Sequence, residues 1–222
     1  MRRAFFGGTF DPVHRGHLDV AAAARRALGL DRLSFVPARV PPHRAVPRAS
    51  AAHRFAMVAL ALQGQAGLTV SDIEMLAGGP SYTSATLDRL AASGIDTRTC
   101  VLVVGADAFL DIESWKAYPA FLDRCSFAVV SRPNQPVAGL RAAVPALASR
   151  MIDAGSEANA RPHLAGNPAV FLVDAPTAPV SSTDIRRRVA EGASIHEFVP
   201  AAVAEYIHKH GLYLEETPTP AA

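Results

Sequence analysis

Apolar runs rich in β-formers alternate along this chain with alanine- and leucine-rich amphipathic stretches, and that alternation sets the expected elements. Strands are expected near residues 3–6, 33–37, 69–72, 99–104, 126–131 and 169–173. Helices are expected near residues 13–28, 50–63, 84–92, 115–124, 137–153, 183–191 and 200–210. The run Val101-Leu102-Val103-Val104 is apolar on both faces, as a central parallel strand must be. Strand and helix alternating in this way predict an α/β fold: a doubly wound parallel sheet, helices on both faces and a small helical C-terminal part. Ligands of such sheets bind beyond the carboxyl ends of the strands, where the strand order reverses. The turns Gly7-Gly8 and Gly105-Ala106-Asp107 both fall at such ends.

Three segments break the alternation. Residues 39–48 carry three prolines and read as an extended loop, and residues 155–168 read as a long polar connection. The Thr-Pro repeats after residue 214 predict a disordered tail over 215–222, which leaves residues 1–214 as one domain.

Composition narrows the classes. The chain has 222 residues, half of them hydrophobic, and a formal charge of only +2, so composition argues against a nucleic-acid binder. A local basic stretch, Arg39, His43, Arg44, Arg48 and Arg54, reads either as a solvated loop or as a wall facing a phosphorylated substrate. Cys100 and Cys125 sit in apolar contexts with no second ligand nearby, which predicts buried free thiols in a reducing compartment. Three apolar residues after Arg2-Arg3 are too few for a signal peptide. The run 55–62 is far short of a membrane span. The expectation is a cytoplasmic protein without membrane contact.

Chemistry is concentrated at two strand-to-helix junctions. The first is Gly7-Gly8-Thr9-Phe10-Asp11-Pro12-Val13-His14-Arg15-Gly16-His17. A glycine turn between strand and helix presents free N–H groups and a positive helix end, where a phosphate can sit. His14 and His17 are three residues apart, so a helix starting near Pro12 or Val13 would place both imidazoles on one face. Neither common glycine fingerprint is present. The second junction is Val180-Ser181-Ser182-Thr183-Asp184-Ile185-Arg186. Ser181 and Asp184 fit a capping box, yet three consecutive hydroxyls followed by a guanidinium also suit a polyphosphate. His14 and His17 lack the neighbouring third ligand that a structural zinc site needs, so no metal site is expected.

The first junction resembles the G-[G/T]-F-D-P-x-H-x-G-H signature of the H-x-G-H nucleotidyltransferases, whose fold is Rossmann-like. Its double glycine and its histidine at position 14 are similar to the bacterial nicotinate mononucleotide adenylyltransferases. The second junction resembles their I-S-S-T-x-I-R segment, with Val180 in place of isoleucine. The resemblance implies adenylyl transfer from ATP to nicotinate mononucleotide in NAD biosynthesis, with Mg²⁺ carried mainly by the ATP phosphates. It implies catalytic roles for His14, His17 and Arg186. It assigns Gly7, Gly8, Thr9, Phe10, Gly16, Ser181, Ser182 and Thr183 to ATP.

Further segments extend the resemblance over most of the chain. Pro41-Pro42-His43-Arg44 is similar to the loop beside the mononucleotide, which implicates His43 and Arg44. Ser81-Tyr82-Thr83-Ser84-Ala85-Thr86-Leu87 resembles S-Y-T-x-D-T-L and implicates Thr83 and Thr86, although Ala85 replaces the usual acid. Gly105-Ala106-Asp107 resembles G-A-D at the ribose, and Ser131-Arg132-Pro133 the adenosine wall. Trp115-Lys116 resembles a pair whose indole can stack on the pyridine ring. Rival readings are nicotinamide mononucleotide as acceptor, phosphopantetheine adenylyltransferase, and a non-catalytic nucleotide-binding regulator. Oligomeric state is not legible.

Overall fold

A computed structural model describes residues 3–42, 46–133, 135–154 and 167–214. Seven strands, β1 (Arg3–Gly8), β2 (Arg32–Pro37), β3 (Leu68–Val70), β4 (Cys100–Gly105), β5 (Ser126–Val130), β6 (Met151–Asp153) and β7 (Val170–Val173), form one sheet. The order is β3-β2-β1-β4-β5-β7-β6 and every pairing is parallel. Strands buried on both faces must be apolar throughout, and every residue of β5 and β7 is buried.

Alternate residues of the inner strands feed two separate cores. Ala4, Phe6, Val101, Val103, Ala128 and Phe171 face one side. There they meet α1 (Arg15–Leu28), α2 (Ala51–Ala61), α6 (Ser182–Ala190) and α7 (Ala201–Lys209). Phe5, Val104, Phe127, Val129 and Leu172 face the other side, against α3 (Thr83–Ala92), α4 (Ala106–Phe109), α5 (Leu140–Ala143) and 3₁₀ turns. This is the doubly wound arrangement that the alternation predicts. α1 ends at Gly29, whose φ of 58° is the left-handed conformation that glycine adopts without a side-chain clash. Cys100 and Cys125 are both buried and free, and burial, reinforced by the neighbouring Cys100, pushes the Cys125 thiol up to about 12.

Two expected helices fail to form. Over 115–124, Trp115 is extended, Ala117 has a φ of 68° and Tyr118-Pro119 is cis; only Ala120–Asp123 turns, as a 3₁₀ segment. Pro119 has no N–H to donate, and a proline disfavours helical geometry in the residue before it. Over 137–153, a 3₁₀ turn at Val137–Gly139, the single turn α5, a 3₁₀ segment at Pro145–Arg150 and strand β6 replace the expected helix. Gly139 and Pro145 interrupt the pattern, and a three-residue edge strand with two exposed positions leaves little hydrophobic signal. Most of the expected connection at 155–168 lies outside the described residues, as does the expected tail.

The order reverses between β1 and β4, so the carboxyl ends of these neighbours frame the switch point. Both glycine turns are there.

Candidate active site

After Gly8 the chain turns sharply through Phe10, which holds a φ of 51°. Such a backbone is unfavourable for a bulky residue and survives only where packing over-determines it. The Phe10 ring is 2 % exposed and packs edge-on against Phe6 at 5.5 Å and against His17 at 5.0 Å. A Cβ at Gly8 would lie 2.7 Å from this ring, so glycine is required there for close approach.

Asp11 is the knot of the turn. Its buried carboxylate accepts from the Arg48 N–H at 2.8 Å, the Ala49 N–H at 3.1 Å and the Tyr213 hydroxyl at 2.7 Å. Tyr213 reaches it from a φ of 67°, and burial, followed by the Asp11 charge, raises the phenol well above its ordinary value. Arg54, 1 % exposed, braces the same turn from below by donating to the carbonyls of Thr9 at 2.6 Å, Arg39 at 3.1 Å and Ala49 at 3.2 Å. Arg54 is therefore neither a solvated loop residue nor a substrate wall; it is a buried clamp, and desolvation lowers its pKa. His43 and Arg44, expected beside the mononucleotide, lie outside the described residues.

The two histidines come together differently from the expectation. α1 begins at Arg15, so His14 is its extended cap residue, with φ −148° and ψ 172°, and His17 is in the first turn. The His14 N–H donates to His17 Nδ1 at 3.2 Å, and the rings stack at 3.7 Å with 26° between planes. Because Nδ1 accepts, the proton of neutral His17 belongs on Nε2. His14 is 1 % exposed; burial, aided by the Arg132 charge, pushes its pKa down to about 3, so it is neutral across physiological pH. Its Nδ1 is buried without a partner.

Arg132, expected on the adenosine side, reaches back to α1. It donates from Nη1 to the Gly16 carbonyl at 3.3 Å. A Cβ at Gly16 would come within 3.1 Å of that Nη1 and 3.2 Å of His14 Nδ1, so a side chain would crowd the space between them. A Cβ at Gly105 would collide with Asp107 Oδ1 and lie 3.2 Å from Arg132 Cγ. Gly16, Gly105, Asp107 and Arg132, distant in sequence, therefore share one corner. Asp19 holds the adjacent 178 loop by accepting the Ala178 N–H at 2.9 Å.

The second junction is tied directly to the first. Ser181 caps α6, accepting from the Asp184 N–H at 3.0 Å and donating to the Asp184 carboxylate at 2.8 Å. Ser182 donates to the Pro12 carbonyl at 2.9 Å. Arg186 donates to the Asp11 carbonyl at 2.7 Å and to Thr183 Oγ1 at 3.2 Å. Each of the three hydroxyls thus has a protein partner, and with the Asp184 N–H capped by Ser181 and the Ile185 N–H bonded to the Ser181 carbonyl, the Ser182 and Thr183 N–H groups remain as the orphan donors of α6. Two helix N-termini, α1 and α6, meet at one point.

The opposite edge is built by α3. Thr86 is buried and donates to Glu74 Oε1 at 2.5 Å, while Glu74 Oε2 is buried without a partner. Glu74, Thr83 and Thr86 share a cavity of about 40 Å³ with Gly7, which places Gly7 on this side rather than with the other turn residues. Lys116 Nζ stands 4.5 Å over the Tyr82 ring, and Trp115 stacks on Phe121 at 6.0 Å. The Ser81 N–H donates to the Val40 carbonyl at 2.8 Å, and Arg39 also donates to the Ala77 carbonyl, so the 39–42 loop is stapled to the approach of α3. Sequence reasoning missed Glu74, Asp11, Arg54 and Tyr213 as organising residues. Only Asp11 had a signal, its place inside the first motif.

Among the described residues no group of three or more His, Cys, Asp or Glu side chains could hold a metal ion. No helix among them is long and apolar enough to cross a membrane.

Comparison with known proteins agrees with this geometry. A cytidylyltransferase-like family model matches residues 5–188. A protein of Pectobacterium atrosepticum named "Probable nicotinate-nucleotide adenylyltransferase" is 37% identical over 95% of this chain and 97% of its own. One of the same name from Geobacter sp. strain M21 is 38% identical, covering 97% of this chain and 99% of its own. The fold is similar to that of Plasmodium falciparum nicotinic acid mononucleotide adenylyltransferase complexed with NaAD, with a TM-score of 0.69 and 16% identity over 95% of this chain and 96% of that one. On the matched family model and on these full-length relatives, the chain belongs to the cytidylyltransferase-like family, in its nicotinate-nucleotide adenylyltransferase branch.

Proposed function

We propose that this protein transfers the adenylyl group of ATP to nicotinate mononucleotide, giving deamido-NAD and pyrophosphate in NAD biosynthesis. The observation that carries the reading is the joining of two phosphate-binding helix starts, α1 and α6, by Arg186–Asp11 and Ser182–Pro12. Full-length relatives carry the name of this activity, and the structural neighbours of similar fold were solved with NaAD and with APC.

A phosphate monoester is largely ionised near neutral pH, so the acceptor needs no strong general base. An oxygen of its 5′-phosphate attacks the α-phosphorus of ATP; the bond from that phosphorus to the bridging oxygen breaks, and pyrophosphate leaves with the electron pair. Catalysis then rests on alignment and on neutralising charge that moves toward the leaving group. In this assignment His17 donates from Nε2 to the transferring phosphate, and neutral His14 stacks behind it. Arg186 and the first-turn N–H groups of α6 take the β- and γ-phosphates. Gly16, Arg132, Gly105 and Asp107 line the adenosine corner, while Gly7, Thr83, Thr86, Trp115 and Lys116 surround the mononucleotide.

Mg²⁺, when bound, supplies further charge neutralisation on the phosphates. The donor set fits a metal that rides on the nucleotide rather than in a carboxylate cage, since Asp11 already accepts three hydrogen bonds. Residues 1–214 act as one unit on this reading, because one sheet spans β1 to β7 and α7 returns to pack on α2. Free buried thiols suit a cytoplasmic setting.

Pyrophosphate release from ATP, measured side by side with nicotinate mononucleotide, nicotinamide mononucleotide and phosphopantetheine, tests the proposal. Best turnover on phosphopantetheine rejects it; best turnover on the amide overturns only the acceptor preference; no turnover on any leaves a regulator.

A further inference from the structure

On the α3 side of the sheet, a cavity of about 600 Å³ opens over the face of β1, β2 and β3. Its walls carry three guanidinium groups, Arg3, Arg32 and Arg89, against one acid, Asp72. Arg3 and Arg32 are register partners on adjacent parallel strands, so their like charges stand side by side. Both are exposed, so solvent screens part of that repulsion, and an anion between them would relieve the rest. Arg89 reaches in from α3, and its Nη1 is buried without any partner. Three arginines around a single cavity describe a place for a polyanion.

The remaining walls say what else that ligand carries. Phe5 and Leu90 form an apolar floor, and Leu76, 82 % exposed, stands at the rim. Guanidinium forks match phosphate oxygens in pairs, and the apolar floor suits a flat base. The volume lies within the range of about 300–1,000 Å³ usual for small-molecule sites. Arg3 precedes Gly7 by four residues along β1, which sets the cationic end roughly 13 Å from the glycine turn at about 3.3 Å per residue. The cavity is therefore separate from the adenylyl-transfer site.

We propose that this cavity is a second anion site, which takes a nucleoside diphosphate through Arg3, Arg32 and Arg89. It adjoins the acceptor side of the reaction site. Phe5 and Leu90 line both this cavity and the small one that holds Thr86, and Arg89 lies one helical turn beyond Thr86 on α3. An occupant would load α3 from the far side of the groups expected around the mononucleotide.

Equilibrium dialysis with ADP as the probe tests the site on the full-length protein. The double variant Arg32→Ser/Arg89→Gln is expected to bind one ADP fewer per chain than the parent, with turnover unchanged. Arg3→Ser/Arg32→Ser, which leaves α3 untouched, is expected to lose the same site, so a folding defect in the first variant does not decide the matter. Higher ionic strength should weaken the site that the variants lose. Equal stoichiometry in the parent and both variants overturns the proposal. Loss of turnover in the well-folded Arg3/Arg32 variant overturns it too, because these cations would then serve the reaction site.

Discussion

The Arg186 guanidinium donates to the Asp11 carbonyl oxygen at 2.7 Å and lies 3.9 Å from the Asp11 carboxylate. One residue of the first motif thereby orients the principal cation of the second. The planar fork reaches Asp11 and Thr183 together, a geometry that a lysine ammonium does not reproduce. Arg186→Lys should therefore lower kcat and raise KM for ATP even though charge is retained. Initial rates across ATP concentrations decide this, and unchanged values of both constants would leave Arg186 a purely structural strut.

Asp11 itself should matter more for folding than for charge. Asp11→Ala leaves the Arg48 and Ala49 N–H groups and the Tyr213 hydroxyl without an acceptor. At about 1–3 kcal/mol for each buried unpaired group, partly relieved by water, a loss of several kcal/mol is expected. Tyr213→Phe removes a single bond and should cost only about 1 kcal/mol. Urea unfolding of the three proteins checks the ranking; an Asp11→Ala protein as stable as the parent contradicts the anchoring role.

For His17 the prediction is kinetic. Loss of a charge-stabilising donor typically lowers turnover by about 10²–10³-fold, and His17→Ala should fall in that range. Its contribution to the core is small beside that of Phe10, so far-UV circular dichroism should be unaltered. Near-normal kcat in a folded variant would remove His17 from the chemistry.

Neutral His14 makes stability depend on pH in a defined window. Its folded pKa, about 3, lies below the ordinary value of 6.5, so the unfolded chain binds the extra proton between these limits. Stability is complete above about pH 6.5 and falls as the pH drops toward 3, by up to about 1.4 kcal/mol per pH unit. Between pH 6.5 and 5, where carboxylates scarcely titrate, His14→Gln should flatten the slope of unfolding free energy against pH. The same slope in parent and variant would show that His14 is not the group responsible.

Acceptor recognition is tested at Trp115. Its indole stacks on Phe121 at 6.0 Å and is half-buried, which leaves ring surface for a pyridine. Stacking of this kind contributes about 0.5–1.5 kcal/mol beyond area burial. Trp115→Ala should raise KM for the mononucleotide several-fold and leave KM for ATP nearly constant. A matching rise in both would instead point to a general packing defect around Phe121.

Local pattern determined a great deal of this protein. Runs such as Val101-Leu102-Val103-Val104 are apolar on both faces because central parallel strands are buried on both, and this made the layered sheet legible. The two motifs were legible because a tight strand-to-helix turn that leaves N–H groups free restricts which residues fit. The segments 115–124 and 137–153 were misread for the opposite reason: alanine and leucine suggest helix, but Pro119 and Pro145 withhold the N–H groups that a helix needs. Only the tertiary structure decided which groups meet. It set His14 outside the helix as a buried cap, joined Asp11 to Tyr213 and Arg186, and made Glu74 the partner of Thr86. Such pairings depend on chain segments far apart in sequence arriving at one strand end, and no local periodicity encodes them. The same holds for Arg54, whose place in a basic stretch gave no sign of a guanidinium buried among three carbonyl oxygens. Burial and pairing belong to the assembled fold, and they give each charge its energy and each histidine its protonation state.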